Sequence, residues 1–241
     1  MEDLIEKRLK ELHNRAFGRS YSTFSDFLNM DEQSRLERLN LPCVKFGGYD
    51  NAERIMVGFG DNVQGEDFPI SYVEITPIMQ RFADRLTHRD FLGAVMTLGI
   101  KRELIGDIII KDNCGYLICT EKIAPYICDN LTKIKHTSVE ARITDTLPEG
   151  VIATPESSIY TVSSCRADVL ISAVYRLSRS EASALFATDR VFVNSRQLTS
   201  SSYLAKDGDI FSVRGFGRFS FCNVVRKTKK DRFAVEIIKY T

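Results

Sequence analysis

The residues best suited to chemistry lie in a short run of serine and arginine. Ser178-Arg179-Ser180 is followed by Glu181, and serine with glutamate three residues later is a capping box that predicts a helix start. A helix N-terminus presents unpaired N–H groups and partial positive charge, which suit a phosphate. Arg179 adds a planar guanidinium that matches phosphate oxygens, and Arg176 lies just before the cap. The alternative is a solvated helix end with an ordinary serine cap.

The charge of the chain is distributed unevenly. Residues 155–241 carry 14 Lys+Arg against 8 Asp+Glu, a net charge of +6, whereas residues 1–77 carry 9 against 14, a net of −5. A basic hairpin tip at residues 226–232 adds to the excess. Charge runs are usually solvated faces, but a basic third of a chain also indicates a polyanionic partner.

The elements that would position these groups are two short helices and a set of strands. The spacing of apolar residues predicts helices over 166–175 and from 178 onward, because Ala182, Leu185 and Phe186 recur at helical intervals. Strands are predicted at 190–194, 210–214 and 219–225, with a tight turn at Gly208-Asp209.

The middle of the chain has a regular order of elements: strand, helix, strand, strand, helix, strand. This order predicts a ferredoxin-like split βαβ domain, the plan shared by RNA-recognition motifs. The predicted strand 105–110 has no stacking aromatics, so RNA contact there would need another surface. The segments are, in order, 72–75, 87–98, 105–111, 116–120, 121–131 and 137–143.

The sequence therefore predicts an α+β protein in three parts. Residues 1–69 form an N-terminal α/β segment, with helices at 2–16 and 31–39 and a strand at 54–59, which could pack on the next domain. Residues 70–146 form the ferredoxin-like domain, and residues 155–241 form the C-terminal domain. Residues 144–158, which contain Pro148, Gly150 and Pro155, are interpreted as the linker.

The C-terminal run RADVLISAVYRLSRSEASALFATDRVFVN…KDGDIFSVRGFGRF resembles the S4 RNA-binding (αL-type) domain. The matching features include Arg166 and Asp168 at the first helix, Ser178-Arg179 at the second, and the run from Val213 to Arg218. Asp189 and Ser195 stand where S4 domains usually have glycine. With the runs LTHRDFLGA, LGIKRE, IGDI and NLTK, the chain is similar to the YlmH family of bacterial S4 proteins.

That resemblance implies a cytoplasmic bacterial protein that associates with the large ribosomal subunit. Relatives act in ribosome-associated quality control of stalled peptidyl-tRNA, and the family is also linked to cell division. The expected partners are the ribosome, its large-subunit rRNA and tRNA. The protein would recognise the shape and the phosphate groups of these RNAs. The predicted RNA-binding residues are Arg166, Arg176, Ser178, Arg179, Ser180, Arg190, Asn194, Arg214, Arg218, Lys227, Lys229 and Lys230.

A second RNA surface could form at His88, Arg89, Lys101 and Arg102. Thr87 and Asp90 form a capping box, which places His88 and Arg89 on the first turn of a helix. A solvated helix end explains these residues equally well.

Enzyme chemistry is not expected, because no GxGxxG cofactor loop and no recognisable synthase aspartate are present. The six cysteines form no CxxC pair and the three histidines lack ligand spacing, so neither a metal nor a cofactor is expected. No signal peptide or membrane span is expected, no small-molecule substrate is expected, and the protein should be a monomer. Two rival functions stay open: an RNA-modifying enzyme of the pseudouridine synthase or methyltransferase type, and a cell-division scaffold.

Overall fold

The structure, a computed structural model, describes residues 4–19, 21–152, 155–228 and 230–240. It divides into two compact units, one of residues Met1–Glu32 with Arg38–Ile152 and one of residues Gln33–Glu37 with Ala153–Thr241. Helices are mixed with antiparallel sheets, which confirms the predicted α+β composition. No helix among the described residues is long and apolar enough to cross a bilayer.

The predicted helices and strands of residues 4–152 occur in the predicted order, with boundaries that differ by a few residues. Three short strands that the sequence did not predict lie between them: Thr23–Phe24, Val44–Phe46 and Lys133–Ile134. The first helix continues to Arg19, and the fourth begins at Ala124 with a proline in its first turn. The elements are α1 (Leu4–Arg19), β1 (Thr23–Phe24), α2 (Met30–Leu39), β2 (Val44–Phe46), β3 (Met56–Phe59), β4 (Ile70–Pro77), α3 (His88–Thr97), β5 (Ile105–Lys111), β6 (Cys114–Thr120), α4 (Ala124–Asn130), β7 (Lys133–Ile134) and β8 (Thr137–Thr144).

This unit contains a five-stranded antiparallel sheet in the order β5-β6-β4-β8-β7. A separate three-stranded sheet has the order β1-β3-β2. Helices α3 and α4 bury Phe91, Val95 and Ile127 in one core with Ile75 and Leu117 of the five-stranded sheet. Burial of each such side chain contributes roughly 1.5–3 kcal/mol. The helices therefore stay on the sheet through apolar packing.

The predicted capping box of α3 is present. The Thr87 N–H and hydroxyl both donate to the Asp90 carboxylate, at 2.8 and 2.6 Å. Lys135 contacts the same carboxylate at 2.7 Å. Hydrogen bonds from Lys135 and Thr87 lower the pKa of Asp90 to about 2. Asp90 therefore has a structural role, as its position in the sequence indicated.

Residues from the N-terminal segment form a second core that includes the sheet residue Ile118. Phe27, Met56 and Phe68 are buried together with Ile118. The packing is close, because a Cβ on Gly106 of β5 would lie 2.8 Å from the Phe27 ring. This part of the sheet is therefore covered by apolar side chains and is closed to a stacked base.

The second unit contains two helices and a six-stranded antiparallel sheet in the order β11-β10-β12-β13-β14-β9. Its largest core packs Leu170 and Phe186 of the helices against Phe211 and Phe219 of the sheet. The elements are β9 (Glu156–Val162), α5 (Ala167–Tyr175), α6 (Arg179–Ala187), β10 (Val191–Val193), β11 (Arg196–Gln197), β12 (Asp209–Val213), β13 (Gly217–Lys227) and β14 (Phe233–Tyr240).

The interpretation of residues 144–158 as a linker is wrong at its C-terminal end. Glu156–Val162 is a strand that pairs antiparallel with β14, with Ser158 opposite Ile237. The strand is stabilised by a partner about 80 residues away in the chain, so its local sequence gives little sign of it.

Candidate nucleic-acid interface

Helix α6 begins as the sequence predicts. The Ser178 hydroxyl accepts a hydrogen bond from the Glu181 N–H at 3.2 Å, and the Glu181 carboxylate accepts from the Ser178 N–H at 2.8 Å. A hydrogen bond from the Ser178 hydroxyl to the Glu181 carboxylate at 2.7 Å, together with the one from the Ser178 N–H, lowers the pKa of Glu181. Ser178, Arg179 and Ser180 are all exposed on this first turn. The turn can therefore meet a ligand, although the Ser178 hydroxyl is already occupied by the cap.

Two of the predicted arginines share one buried carboxylate. Asp168, whose side chain is 5% exposed, accepts from Arg166 Nε at 3.0 Å and from Arg179 Nη2 at 3.2 Å. Burial acts to raise the pKa of Asp168, but hydrogen bonds from both arginines hold it below its ordinary value. The Arg166 and Arg179 side chains are 40% and 63% exposed. The two guanidiniums and one carboxylate therefore leave a net positive charge at the surface.

Arg176 is placed by the end of α5. It is the C-cap residue and adopts a left-handed backbone with φ of 55°. The residue is exposed, and it forms no ion pair with the residues that the structure describes. The guanidinium is therefore available to an anion from solvent.

The turn between β12 and β13 holds the next group of cations. The Arg190 guanidinium donates through Nε and Nη2 to the carbonyl of Arg214, with the Nε contact at 3.1 Å. Its Cζ lies 5.5 Å from the Phe216 ring centroid. A Cβ on Gly215 would lie 2.5 Å from Arg190 Nη2, and Gly215 has φ of +83°. Glycine at 215 thus lets Arg190 lie across the turn.

Arg214 and Arg218 flank this turn and lie against aromatic rings. Arg214 is exposed, with its Cζ 5.0 Å from the Phe192 ring centroid. Arg218 is half-buried in β13, with its Cζ 6.0 Å from the Tyr240 ring centroid. Arg214 is thus the more accessible of the two to a partner.

An aromatic contact joins the helix pair to this turn. The Tyr175 ring lies 5.4 Å from Phe216 and 5.9 Å from Phe219, between centroids. Lys239 Nζ lies 5.5 Å from the Tyr175 ring. Because Tyr175 immediately precedes Arg176, the end of α5 lies beside the turn that carries Arg190 and Arg214. Sequence reasoning did not single out Lys239, since an isolated lysine near a terminus carries no pattern.

A cleft beside the helix pair extends to the hairpin between β13 and β14. Arg179 and Arg232 line one cleft of about 350 Å³, together with Ser163 and Ser172. Arg232 donates to the carbonyl of Thr161 at 3.2 Å. The sequence did not predict that these two arginines line the same cleft, because their arrangement depends on the position of β9.

The lysines of this hairpin tip differ in their surroundings. Lys227 Nζ contacts the Asp231 carboxylate at 2.6 Å and lies 5.7 Å from the Phe233 ring. Lys230 is exposed, and Lys229 lies outside the described residues. Lys227 is thus partly neutralised by a neighbour on the same hairpin.

Asn194 has a structural task. It adopts a left-handed backbone with φ of 50°, and its amide donates to Asp209 at 2.8 Å. Its side-chain oxygen accepts from the Ile210 N–H at 2.9 Å. The amide therefore bonds the Asp209 side chain and the Ile210 backbone of β12, so contact with RNA would require these bonds to be exchanged.

The four residues of the proposed second surface differ in their surroundings. His88 and Arg89 are exposed on α3, and exposed Lys101 lies 3.8 Å from the Glu103 carboxylate. Arg102 is half-buried and donates through Nη1 to the carbonyls of residues 105 and 106, at 2.7 and 3.1 Å. Burial lowers the pKa of Arg102 to about 10. Arg102 therefore serves the backbone of β5.

Cofactor or metal chemistry finds little support in the side chains present. Within the described ranges, no group of three or more His, Cys, Asp or Glu residues is placed to hold a metal. The six cysteines all lie in the described ranges and form no disulfide, and burial raises the pKa of the Cys119 thiol to about 12. The described residues of 155–228 and 230–240 place several cations on helices and turns, and such an arrangement can bind an anion.

Three comparisons show which known proteins the chain is similar to. Residues 64–146 match the family model described as "Putative RNA-binding domain in YlmH". A Bacillus subtilis (strain 168) protein named "Ribosome-associated protein quality control protein P2" is 32% identical over 220 residues, covering 88% of this chain and 84% of its own. The solved "Cell division protein ylmH" from Streptococcus pneumoniae is 23% identical, with a TM-score of 0.48, covering 60% of this chain and 93% of that chain.

Proposed function

The chain belongs to the YlmH family, and from this premise we propose that it is an RNA-binding protein of ribosome-associated quality control. It binds structured rRNA of the large subunit, and the tRNA there, through phosphate contacts. It acts in the cytoplasm as a monomer, without a cofactor or a catalysed reaction. Residues 155–241 serve as an S4 domain, and residues 70–146 as a ferredoxin-like domain. The strand order β5-β6-β4-β8 is the one expected of such a domain.

The contact between Tyr175 and Phe216 carries this proposal. It joins the helix end that holds Arg176 to the turn that holds Arg214, so one RNA backbone can meet both. Guanidinium groups suit phosphate because their planar donors match its oxygens. The cleft of Arg179 and Arg232 extends the basic surface in the same unit.

The test measures binding of the full chain to large ribosomal subunits and to a 20-base-pair RNA hairpin over a range of salt concentrations. Each lost phosphate contact should make the slope of log K against log salt shallower by roughly 0.7–0.9. The double variant Arg176→Ala/Arg214→Ala should therefore bind more weakly, with a slope shallower by about 1.4–1.8. Arg142→Ala is the control, because Arg142 is an exposed arginine held by Glu74. An unchanged slope in the double variant would contradict the proposal.

A second experiment identifies the RNA. Ultraviolet crosslinking of the protein to ribosomes, followed by sequencing of the attached RNA, should recover large-subunit rRNA and tRNA. Crosslinks confined to messenger RNA would count against the proposed target. A modified base produced in rRNA by the purified protein would instead support an enzyme.

A further inference from the structure

The segment Ile78–Arg85, between β4 and α3, exposes large apolar side chains in close succession. Ile78, Met79 and Phe82 are 63%, 67% and 78% exposed. A soluble protein tolerates single exposed apolar residues, but a cluster of them indicates a contact site. None of these three residues belongs to the basic surface described above.

The segment is held by hydrogen bonds that it donates to strand β8 and to the turn between β5 and β6. The Ile78 N–H donates to the carbonyl of Ser138 at 3.0 Å, and Gln80 Nε2 donates to the carbonyl of Asp112 at 2.7 Å. The Asp84 N–H donates to the Thr137 hydroxyl at 2.8 Å. The apolar side chains are thus displayed by an ordered support, which lowers the entropy lost when a ligand binds.

The charges of the segment favour a polyanion. Arg81 Cζ lies 5.8 Å from the Phe82 ring centroid, and both Arg81 and Arg85 are exposed. Neither arginine forms an ion pair with any residue in the described ranges. The one carboxylate of the segment, Asp84, accepts from the N–H of His136 at 3.2 Å. An exposed ring beside unneutralised guanidiniums is suited to stacking a base while its phosphate is bound.

We propose that Ile78–Arg85 is a separate RNA contact that takes unpaired bases by stacking on Phe82, with Arg81 and Arg85 on the flanking phosphates. This rests on the proposed function, that the chain binds RNA. The sheet around Ile118 is covered by apolar side chains, so a base cannot stack there. A stacking contact in this unit must therefore use another surface, as the exposed ring of Phe82 does. Single-stranded loops and bulges are the RNA elements whose bases are free to stack.

The test uses the full chain and two fluorescent probes, a 12-nucleotide oligouridylate and a blunt, fully paired RNA duplex. Phe82→Ala should weaken oligouridylate binding by about 5- to 150-fold, the range of one base–aromatic stack, and leave duplex binding within about twofold. Phe82→Tyr should bind like the wild type. Ile143→Ala is the control, because Ile143 is also an exposed apolar residue of this unit.

Phe82→Leu separates stacking from a simple apolar contact. Leucine keeps apolar area but has no ring, so it should lose as much affinity for oligouridylate as alanine. Retained affinity in Phe82→Leu would overturn the stacking proposal, because a simple apolar contact would then be sufficient to bind oligouridylate. So would a wild-type chain that binds the duplex but ignores oligouridylate. Failure of the wild type on both probes would instead refute RNA binding as a whole.

A crosslinking readout locates the contact directly. Oligouridylate that contains 4-thiouridine should form adducts with peptides from residues 78–85 under long-wavelength light. Adducts found only in residues 155–240 would overturn the second contact and leave the first unaffected.

Discussion

Asp168→Asn is the sharpest perturbation of the basic surface, because one buried carboxylate orients both Arg166 and Arg179. The change keeps the size of the side chain and removes its charge. The asparagine amide would also turn an N–H₂ donor toward a guanidinium, so at least one hydrogen bond is lost. A hydrogen bond to a charged group contributes about 1.5–3 kcal/mol. The arginines are partly exposed, so water screens them, and we expect a loss of about 1–3 kcal/mol in the free energy of unfolding.

The difference in stability between the wild type and Asp168→Asn should depend on pH. The folded-state pKa of Asp168 is lowered, so the carboxylate contributes fully above its unfolded pKa of about 3.9 and loses that contribution as the pH falls through the folded value. The asparagine variant has no such titration. The stability gap between wild type and variant should therefore be full at pH 7 and shrink below about pH 4.

The assay is urea unfolding of both proteins at pH 7, 5 and 3, followed by circular dichroism in buffers of matched ionic strength. Two results would refute the reasoning. The first is equal stability of the two proteins at pH 7, which would mean that the ion pairs contribute nothing. The second is a gap of the same size at pH 3 as at pH 7, which would mean that packing, rather than charge, separates the two proteins.

Further predictions concern the turn and the helix cap. Gly215→Ala should cost about 1–3 kcal/mol by urea unfolding, because its Cβ would strike Arg190 and its φ is positive. Gly208→Ala, with φ of +86° and nothing within 4 Å, is the control that carries only the backbone strain; an equal loss there would exclude the clash. Ser178→Ala should lower stability by about 1 kcal/mol in thermal unfolding, whereas Ser180→Ala should be nearly neutral. Equal effects at the two serines would contradict the capping role.

Local signals in the sequence were sufficient where the interaction is local. The capping boxes at Thr87 and Ser178 are each contained in four residues, and both are present in the structure. The order of elements in residues 70–146 was also predictable, since each helix and strand has its own hydrophobic period. Strand β9 was not, because most of its residues are exposed and the strand it pairs with, β14, is distant in the sequence.

The partners of the predicted site residues could not be predicted from composition. The sequence identifies Arg102 as a cation, but the backbone carbonyls that engage it are brought together only by the fold of β5. Asn194 was predicted to bind RNA, yet its amide donates to Asp209 in the same unit. The acid Asp168 lies inside a basic motif, and its two arginine partners are visible only in three dimensions.

The shared carboxylate makes Arg166 and Arg179 a single thermodynamic unit. If either arginine is removed, Asp168 can pair only with the remaining one. That arginine would then lie closer to the carboxylate and be less hydrated. Single substitutions at 166 and 179 should then be epistatic, so that the double variant differs from the sum of the two. Lineages that exchange one of the three side chains would be expected to change the others with it.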